Sequence, residues 1–374
     1  MQYQKILVLR LSAVGDVIRT LPAVKALKEH SPSSSITWIV EEPSRAFLES
    51  QPGVDEVILF PRKRWTRGLK SLRGIWGTMG ETRRFFKDLR RRRFDVALDF
   101  HGILKSGVLS FLSGSPQRIG YDRRSTKEGN FLFSNVKVKL PREKICRFER
   151  NRLLLKGIGL ELRDLKYSLH IPPEDREYVT SFFKTSPTSI HRPIHRPLIA
   201  IHPGTSRKAS FKRWMPDQYA RLSDHLIQEL NATVLFTWGA EELEWVEGIR
   251  SQMKEPSLLA PKTESLTQLG EVYRNCDLYI GGDTGPMHIA SLMGIPAVVI
   301  YGPTDPVENE PIGSHIKVRK EVGCNPCHEY SCKKLDCIKA ISAEEVVNAT
   351  KEILGVLARS EPVRDKKRDL ECHS

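Results

Sequence analysis

The run DLYIGGDTGPMHIASLMGIPAVVIY at residues 277–301 decides the fold. Asp277–Ile280 reads as a short buried strand, Pro286–Met293 has the apolar spacing of a helix, and Ala297–Tyr301 reads as a second strand. Between the first strand and the helix stand Gly281, Gly282, Asp283, Thr284 and Gly285. Glycines let a backbone approach a ligand closely, and Pro286 suits a first helical turn. Free amides at a helix N-terminus form an anion site, here suited to a diphosphate. Asp283 and Thr284 then face the ligand from the carboxyl end of a strand, where open α/β sheets bind ligands. The plainer alternative makes one of them a helix cap and packs His288 inside the helix. The glycines around the turn favour the ligand.

The same alternation extends outward. Toward the N-terminus lie helices over Ser265–Cys276, Glu242–Met253 and Asp217–Leu230, with strands over Ala232–Phe236 and Leu198–Ile201. Toward the C-terminus a helix is expected over Ala343–Leu357. Before this unit, residues 184–197 read KTSPTSIHRPIHRP, and proline at that density resists helix and sheet. The stretch is read as a linker. A second α/β unit precedes it, with strands at Lys5–Leu11, Ile36–Val40, Glu56–Phe60 and Asp95–Phe100 and a helix at Asp16–His30. Strand-helix alternation of this kind predicts α/β domains with parallel sheets covered on both faces. The expected boundaries are 1–183, the linker 184–197, a second domain 198–341, a terminal helix 342–358 and a disordered tail 359–374.

Three further loops follow strands. His202-Pro203-Gly204 leads to Thr205 and Ser206, whose hydroxyls and amides suit a phosphate, and to Lys212, a point charge able to neutralise it. Trp238-Gly239-Ala240 leads to Glu241, Glu242 and Glu244, any of which suits ribose hydroxyls or simply enriches a helix start. Asp16 follows the first strand. A helix cap is its default role. If the two halves face each other it points into the cleft, where a carboxylate can take a proton from an acceptor hydroxyl. Spacing alone leaves the two roles open.

The charge is uneven. The chain of 374 residues carries 59 Lys and Arg against 45 Asp and Glu, a net +14. Between Arg62 and Arg93 stand 13 Lys or Arg against Glu81 and Asp88, a local +11. Such a stretch suits nucleic acid, anionic lipid or a phosphorylated substrate. There is no apolar run of roughly 18 residues, so no spanning helix is expected. The first residues lack the long apolar core of a signal peptide, so a cytosolic location is expected. Cys324, Cys327, Cys332 and Cys337 fall within fourteen residues. Four reduced thiols so spaced can close on zinc or iron, so a structural Zn or Fe site is the expectation and plain thiols the alternative.

Taken together, these motifs resemble glycosyltransferase family 9, the lipopolysaccharide heptosyltransferases. The likeness rests on KILVLRLSAVGDVIRTLPAVKALK from Lys5, DVALDFHGILKS from Asp95, HPGTS from His202 with KRWMPDQYA from Lys212, FTWGAEE from Phe236, and GGDTGPMHIASLMGIPAVVIYGPTDP from Gly281. It covers nearly the whole chain. The resemblance implies a GT-B architecture of two Rossmann-like domains facing across a cleft, ADP-heptose as donor, and inversion by direct displacement. It implies Asp16 as the base and Lys212 as the group stabilising the departing diphosphate, with Lys208 the other lysine of that loop. It implies Asp283, Thr284, Gly285 and His288 in the donor loop, beside Thr205 and Ser206, and Glu242 on the ribose. No catalytic metal is implied.

The implied acceptor is a Kdo- or heptose-bearing lipopolysaccharide precursor at the inner membrane, which a peripherally bound monomer would meet there. Arg62, Lys63, Arg64 and Lys105 are the candidates for its phosphates and carboxylates, with a solvated helix face as the alternative for each. Two other readings compete. One is a family relative that uses another nucleotide sugar or heptosylates a protein. The other is a basic nucleic-acid-binding protein. Trp65, Trp76, Phe85 and Phe86 interleave the basic stretch without regular spacing, and no nucleic-acid motif is present, so no nucleic-acid partner is expected.

Overall fold

The computed structural model describes residues 3–68, 70, 72–162, 168–189, 194–327, 329 and 331–360. The first half contains β1 (Lys5–Leu9), α1 (Val14–His30), β2 (Ser35–Val40), α2 (Arg45–Glu49), β3 (Glu56–Leu59), α3 (Arg62–Gly68), α4 (Leu72–Arg91), β4 (Val96–Asp99), α5 (Leu104–Leu112), β5 (Gln117–Tyr121), β6 (Val136–Val138), α6 (Arg147–Leu154) and α7 (Pro173–Ser189). The second contains β7 (Leu198–His202), α8 (Pro216–Leu230), β8 (Thr233–Phe236), α9 (Leu243–Arg250), β9 (Leu258–Leu259), α10 (Leu266–Arg274), β10 (Leu278–Gly282), α11 (Gly285–Leu292), β11 (Ala297–Tyr301), β12 (His315–Arg319), α12 (Asp336–Lys339) and α13 (Ala343–Ser360).

Among the described residues the strands form two six-stranded sheets, ordered β3-β2-β1-β4-β5-β6 and β12-β11-β10-β7-β8-β9. All paired neighbours are parallel. Within each half the order is third, second, first, fourth, fifth, sixth, the doubly wound arrangement. Its direction reverses between β1 and β4, and again between β7 and β10. Ligands bind such sheets outside the strand carboxyl ends at that reversal.

Central strands read as unbroken apolar runs because both faces are covered. Side chains alternate between faces with a period of two. In β1, Ile6 and Val8 join a core with Val17, Ile18 and Leu21 of α1. Leu7 and Leu9 join a separate core with Leu89 of α4 and Leu109 of α5. Right-handed crossovers require this division, since α1 and α4 advance in opposite directions along the sheet. The core beneath α1 continues into the second half through Met287 and Ile289 of α11 and Leu269 of α10. Helix α1 packs on α6 and α11, and α7 packs on α10.

One expectation changes. The stretch 184–197 is not irregular throughout, because α7 continues to Ser189. Pro187 falls in the last turn, where its missing N–H costs the helix one backbone bond. Residues 190–193, and the part of the tail from 361 on, lie outside the described residues. Helix α13 packs on α8 and against β11 and β12, burying Val346, Val347 and Ile353 in the core of the second half.

Candidate active site

In the first half the reversal point presents Asp16, in the first turn of α1. Arg10, just past β1, and Arg19, one turn along α1, both bond its carboxylate. Arg147, which opens α6, places Nη1 3.1 Å from Oδ1. Burial alone would raise the pKa of Asp16. The three guanidinium groups, Arg10 first, outweigh it and hold the carboxyl well below the usual carboxylate range. Arg10 is itself fixed, with Nη1 donating to the Phe100 carbonyl at 2.8 Å. Past β4, Asp99 is fully buried and accepts from the His101 and Gly102 amides, the Ser106 hydroxyl and the Asn130 amide. This shapes the loop carrying His101, whose pKa burial and Arg10 pull down to about 3.

In the second half Asp283 follows β10 and is buried. Its Oδ2 lies 3.2 Å from Lys212 Nζ. Lys208 is exposed, so Lys212 is the loop lysine that reaches the turn. Thr284 caps α11 with extended backbone and no side-chain cap bond, and Gly285 and Pro286 open the helix. The Thr205 loop is held by Arg213, whose Nε donates to Thr205 Oγ1 at 3.0 Å and whose Nη2 donates to Thr205 O at 2.7 Å. Ser206 is exposed. Of the three glutamates, Glu242 alone is buried. Its Oε2 accepts from the Gly239 amide at 2.8 Å and lies 3.4 Å from His202 Nε2. Burial raises its pKa, but the His202 contact and the Gly239 amide more than offset this, so the carboxylate stays ionised below its ordinary range. A Cβ on Gly204 would collide with this carboxylate, so only glycine leaves it room between the ends of β7 and β8. An acid at the second strand of such a half is the usual ribose partner.

The two reversal points meet. A Cβ on Gly15 would lie 3.6 Å from Gly285 Cα and 3.6 Å from His288 Cδ2. The N-termini of α1 and α11 thus lie close together, adding two positive helix ends to Lys212 and the arginines. His288 is buried where the halves meet, against Gly15 and the Phe148 ring, and burial pushes its pKa well below the ordinary value. It therefore packs the halves together as a neutral ring. The loop after β11 closes the junction. Arg19 Nη1 donates to Asn309 Oδ1 at 3.0 Å, Arg147 N donates to Glu308 O at 3.1 Å, and Lys144 Nζ lies 2.5 Å from Asp305 Oδ2.

The acceptor candidates are not brought to one place. Arg62, Lys63 and Arg64 lie on α3, beyond the edge strand β3, while Lys105 lies in the first turn of α5 beyond β4, with two strands between. Arg62 Nε pairs with Glu41 at 2.8 Å, and Arg64 pairs with Glu81 on α4. Arg62, Lys63, Arg67 and Lys70 line, with Thr66, a shallow cavity of about 220 Å³. The metal expectation fails: among the described residues no group of three or more His, Cys, Asp or Glu is placed to hold an ion. Cys324 and Cys327 are exposed on their loop and Cys337 is buried at α12; burial first, and then the charges of Cys324, Cys327 and Cys332, push the Cys337 thiol up, so the four share a neighbourhood without a metal-holding arrangement. No helix among the described residues is long and apolar enough to cross a membrane.

Sequence reasoning missed the arginine clamp. Arg19 stands three residues after Asp16, a readable helical spacing. Arg147 is 131 residues away and leaves no local signal.

The lipopolysaccharide core heptosyltransferase OpsX of Haemophilus influenzae is 28% identical to this chain over 307 residues, 81% of this chain and 80% of its own length. A glycosyl transferase family 9 structure from Veillonella parvula matches with a TM-score of 0.73 at 24% identity, over 95% of this chain and 98% of that one. The Escherichia coli heptosyltransferase WaaC with ADP matches with a TM-score of 0.69 at 22% identity, over 94% and 100%. The two doubly wound sheets are those of the GT-B fold shared with these structures. The family profile described as glycosyltransferase family 9 (heptosyltransferase) matches residues 82–338, and the chain belongs to that family of enzymes.

Proposed function

We propose that this enzyme transfers heptose from ADP-heptose, with inversion, to a Kdo- or heptose-bearing inner-core lipopolysaccharide acceptor. The observation that supports the reading is the close approach of Gly15, next to Asp16, to Gly285 at the start of α11, whose preceding turn holds the Asp283–Lys212 pair. The relatives are named as a lipopolysaccharide core heptosyltransferase and a heptosyltransferase with ADP. In this reading residues 198–341 bind the donor and residues 1–183 the acceptor. Glu242 accepts from the ribose hydroxyls, and the Thr205 loop and the α11 amides receive the diphosphate. Thr284, Gly285 and Lys212 border it, and Arg19 adds charge from the other half.

The acceptor oxygen attacks the anomeric carbon as Asp16 takes its proton. The bond from that carbon to the diphosphate oxygen breaks, and ADP leaves with the electron pair. Lys212 and the helix amides meet the charge that develops on it. Arg62, Lys63, Arg64 and Lys105 meet acceptor phosphates and carboxylates along the first half. The protein acts as a monomer in the cytoplasm, held peripherally at the inner membrane.

Release of ADP from ADP-heptose in the presence of a Kdo-bearing acceptor tests the reading. Asp16→Ala should lower turnover by roughly a hundredfold or more while leaving donor binding nearly intact. Lys212→Ala and Asp283→Ala should weaken donor binding as well. Near wild-type turnover by Asp16→Ala would remove the base from the mechanism.

A further inference from the structure

Five of the eight large apolar side chains exposed among the described residues lie on one layer of the first half. They are Trp76 (78% exposed) and Met79 (58%) on α4, Leu104 and Phe111 on α5, and Leu132 in the turn Asn130–Leu132 that packs on α5. This layer covers the sheet face opposite α1, so the second half does not bury it. Beneath it Phe60, Trp65, Phe85 and Phe86 pack edge to face and fix α3 and α4 to the sheet. The outer face thus stands on a packed aromatic layer.

That surface is also the basic one. Along α4 the stripe Trp76, Met79, Arg83, Lys87 and Arg90 follows the helical repeat and is exposed throughout. Its two acids are engaged, Glu81 by Arg64 and Asp88 by Arg91 at 3.6 Å. Apolar side chains standing among lysines and arginines on an amphipathic helix are the composition that binds anionic bilayers in the interface plane. A second copy of the chain fits poorly, since a two-fold contact would set two strongly basic faces together. Nucleic acid would match the charge but offers nothing to Met79 and Leu132.

We propose that the outer face of α3, α4 and the start of α5 docks on an anionic lipid bilayer, with Trp76, Met79 and Leu132 entering the headgroup region. Orientation supports this. Helix α4 runs back from the carboxyl edge of the sheet toward the start of β4, so Trp76 and Met79 lie toward the edge that carries Asp16. Leu104 opens α5 at that same edge. A bilayer seated there lies beside the mouth of the cleft. The inference rests on the membrane part of the proposed function and names the surface responsible.

The test is co-sedimentation of the full chain with phosphatidylcholine vesicles containing about one-third phosphatidylglycerol. Binding should weaken with salt and fall roughly tenfold or more on pure phosphatidylcholine. The double variants Trp76→Ser with Met79→Ser, and Arg83→Glu with Lys87→Glu, should each lose about tenfold. The ADP-induced rise in melting temperature should stay unchanged, which shows that the variants fold. Wild-type binding that both variants retain overturns the assigned surface and leaves membrane association standing. No wild-type binding to anionic vesicles overturns both, while ADP release still tests the transferase reading separately. A self-association abolished by Trp76→Ser, or a gel shift with nucleic acid in place of vesicle binding, would assign the face to another occupant.

Discussion

At Asp16 three guanidinium groups converge on one carboxylate, and the proposed proton transfer requires at least one of them to yield. Arg10 and Arg19 are nearly buried and each has a second anchor, on the Phe100 carbonyl and on Asn309. Arg147 is the accessible one, with 36% of its side chain exposed. An acceptor carboxylate or phosphate that draws Arg147 away would raise the affinity of Asp16 for a proton at the moment it is needed. Removing a cation destabilises the ionised form, so the pKa of Asp16 rises in Arg147→Gln. The base must be ionised to act, and activity is lost as pH falls through that pKa. The acid limb of kcat/KM should therefore move to higher pH than in the wild type. An acid limb that does not move would show that Arg147 does not act on Asp16.

One scale up, the turn carrying Asp283 depends on how closely β10 approaches β7. A Cβ on Gly281 would lie 2.8 Å from the His202 carbonyl oxygen and against the Tyr279 hydroxyl. Gly281→Ala should push the strands apart at the reversal point, costing about 1–3 kcal/mol in urea denaturation. It should also weaken ADP binding in calorimetry; wild-type values for both would place the close approach elsewhere. This element was legible in the sequence because glycine there answers a local steric demand. Asp16, Lys212, Asp283 and Glu242 were legible for a related reason, since each follows the carboxyl end of an apolar strand. Other elements left weaker traces. The strand β5 opens on Gln117 and Arg118, β9 has two residues, and β12 is an edge strand of mixed polarity. Helix α7 runs through a proline that sequence reasoning took as a stop. Arg147 reaches Asp16 only through the packing of α6 on α1.

Over the whole molecule, the two halves are joined at the candidate site by the loop after β11, and Asp305 organises it. Its Oδ1 accepts from the amides of Val307 at 2.9 Å and Glu308 at 3.2 Å, and its Oδ2 meets Lys144. Burial would raise its pKa, but Lys144 and these amides hold it below the ordinary value. The turn then presents Glu308 to Arg147 and Asn309 to Arg19, the two arginines that reach Asp16 from the helices. Two mutations separate the parts. Lys144 is largely exposed although Asp305 is buried, so water can take the place of the lost ammonium, and Lys144→Ala should leave kcat/KM much closer to wild type than a change at Asp305. Asp305→Ala removes the turn as well and frees both arginines to move. A misplacement near 1 Å at a reacting group costs up to about a hundredfold, so kcat/KM should fall roughly ten- to a hundredfold. Small-angle scattering should show a larger radius of gyration for Asp305→Ala than for Lys144→Ala. If both variants lose activity equally, the Lys144–Asp305 ion pair rather than the turn holds the halves in register, and Asp16 answers to that charge at the junction.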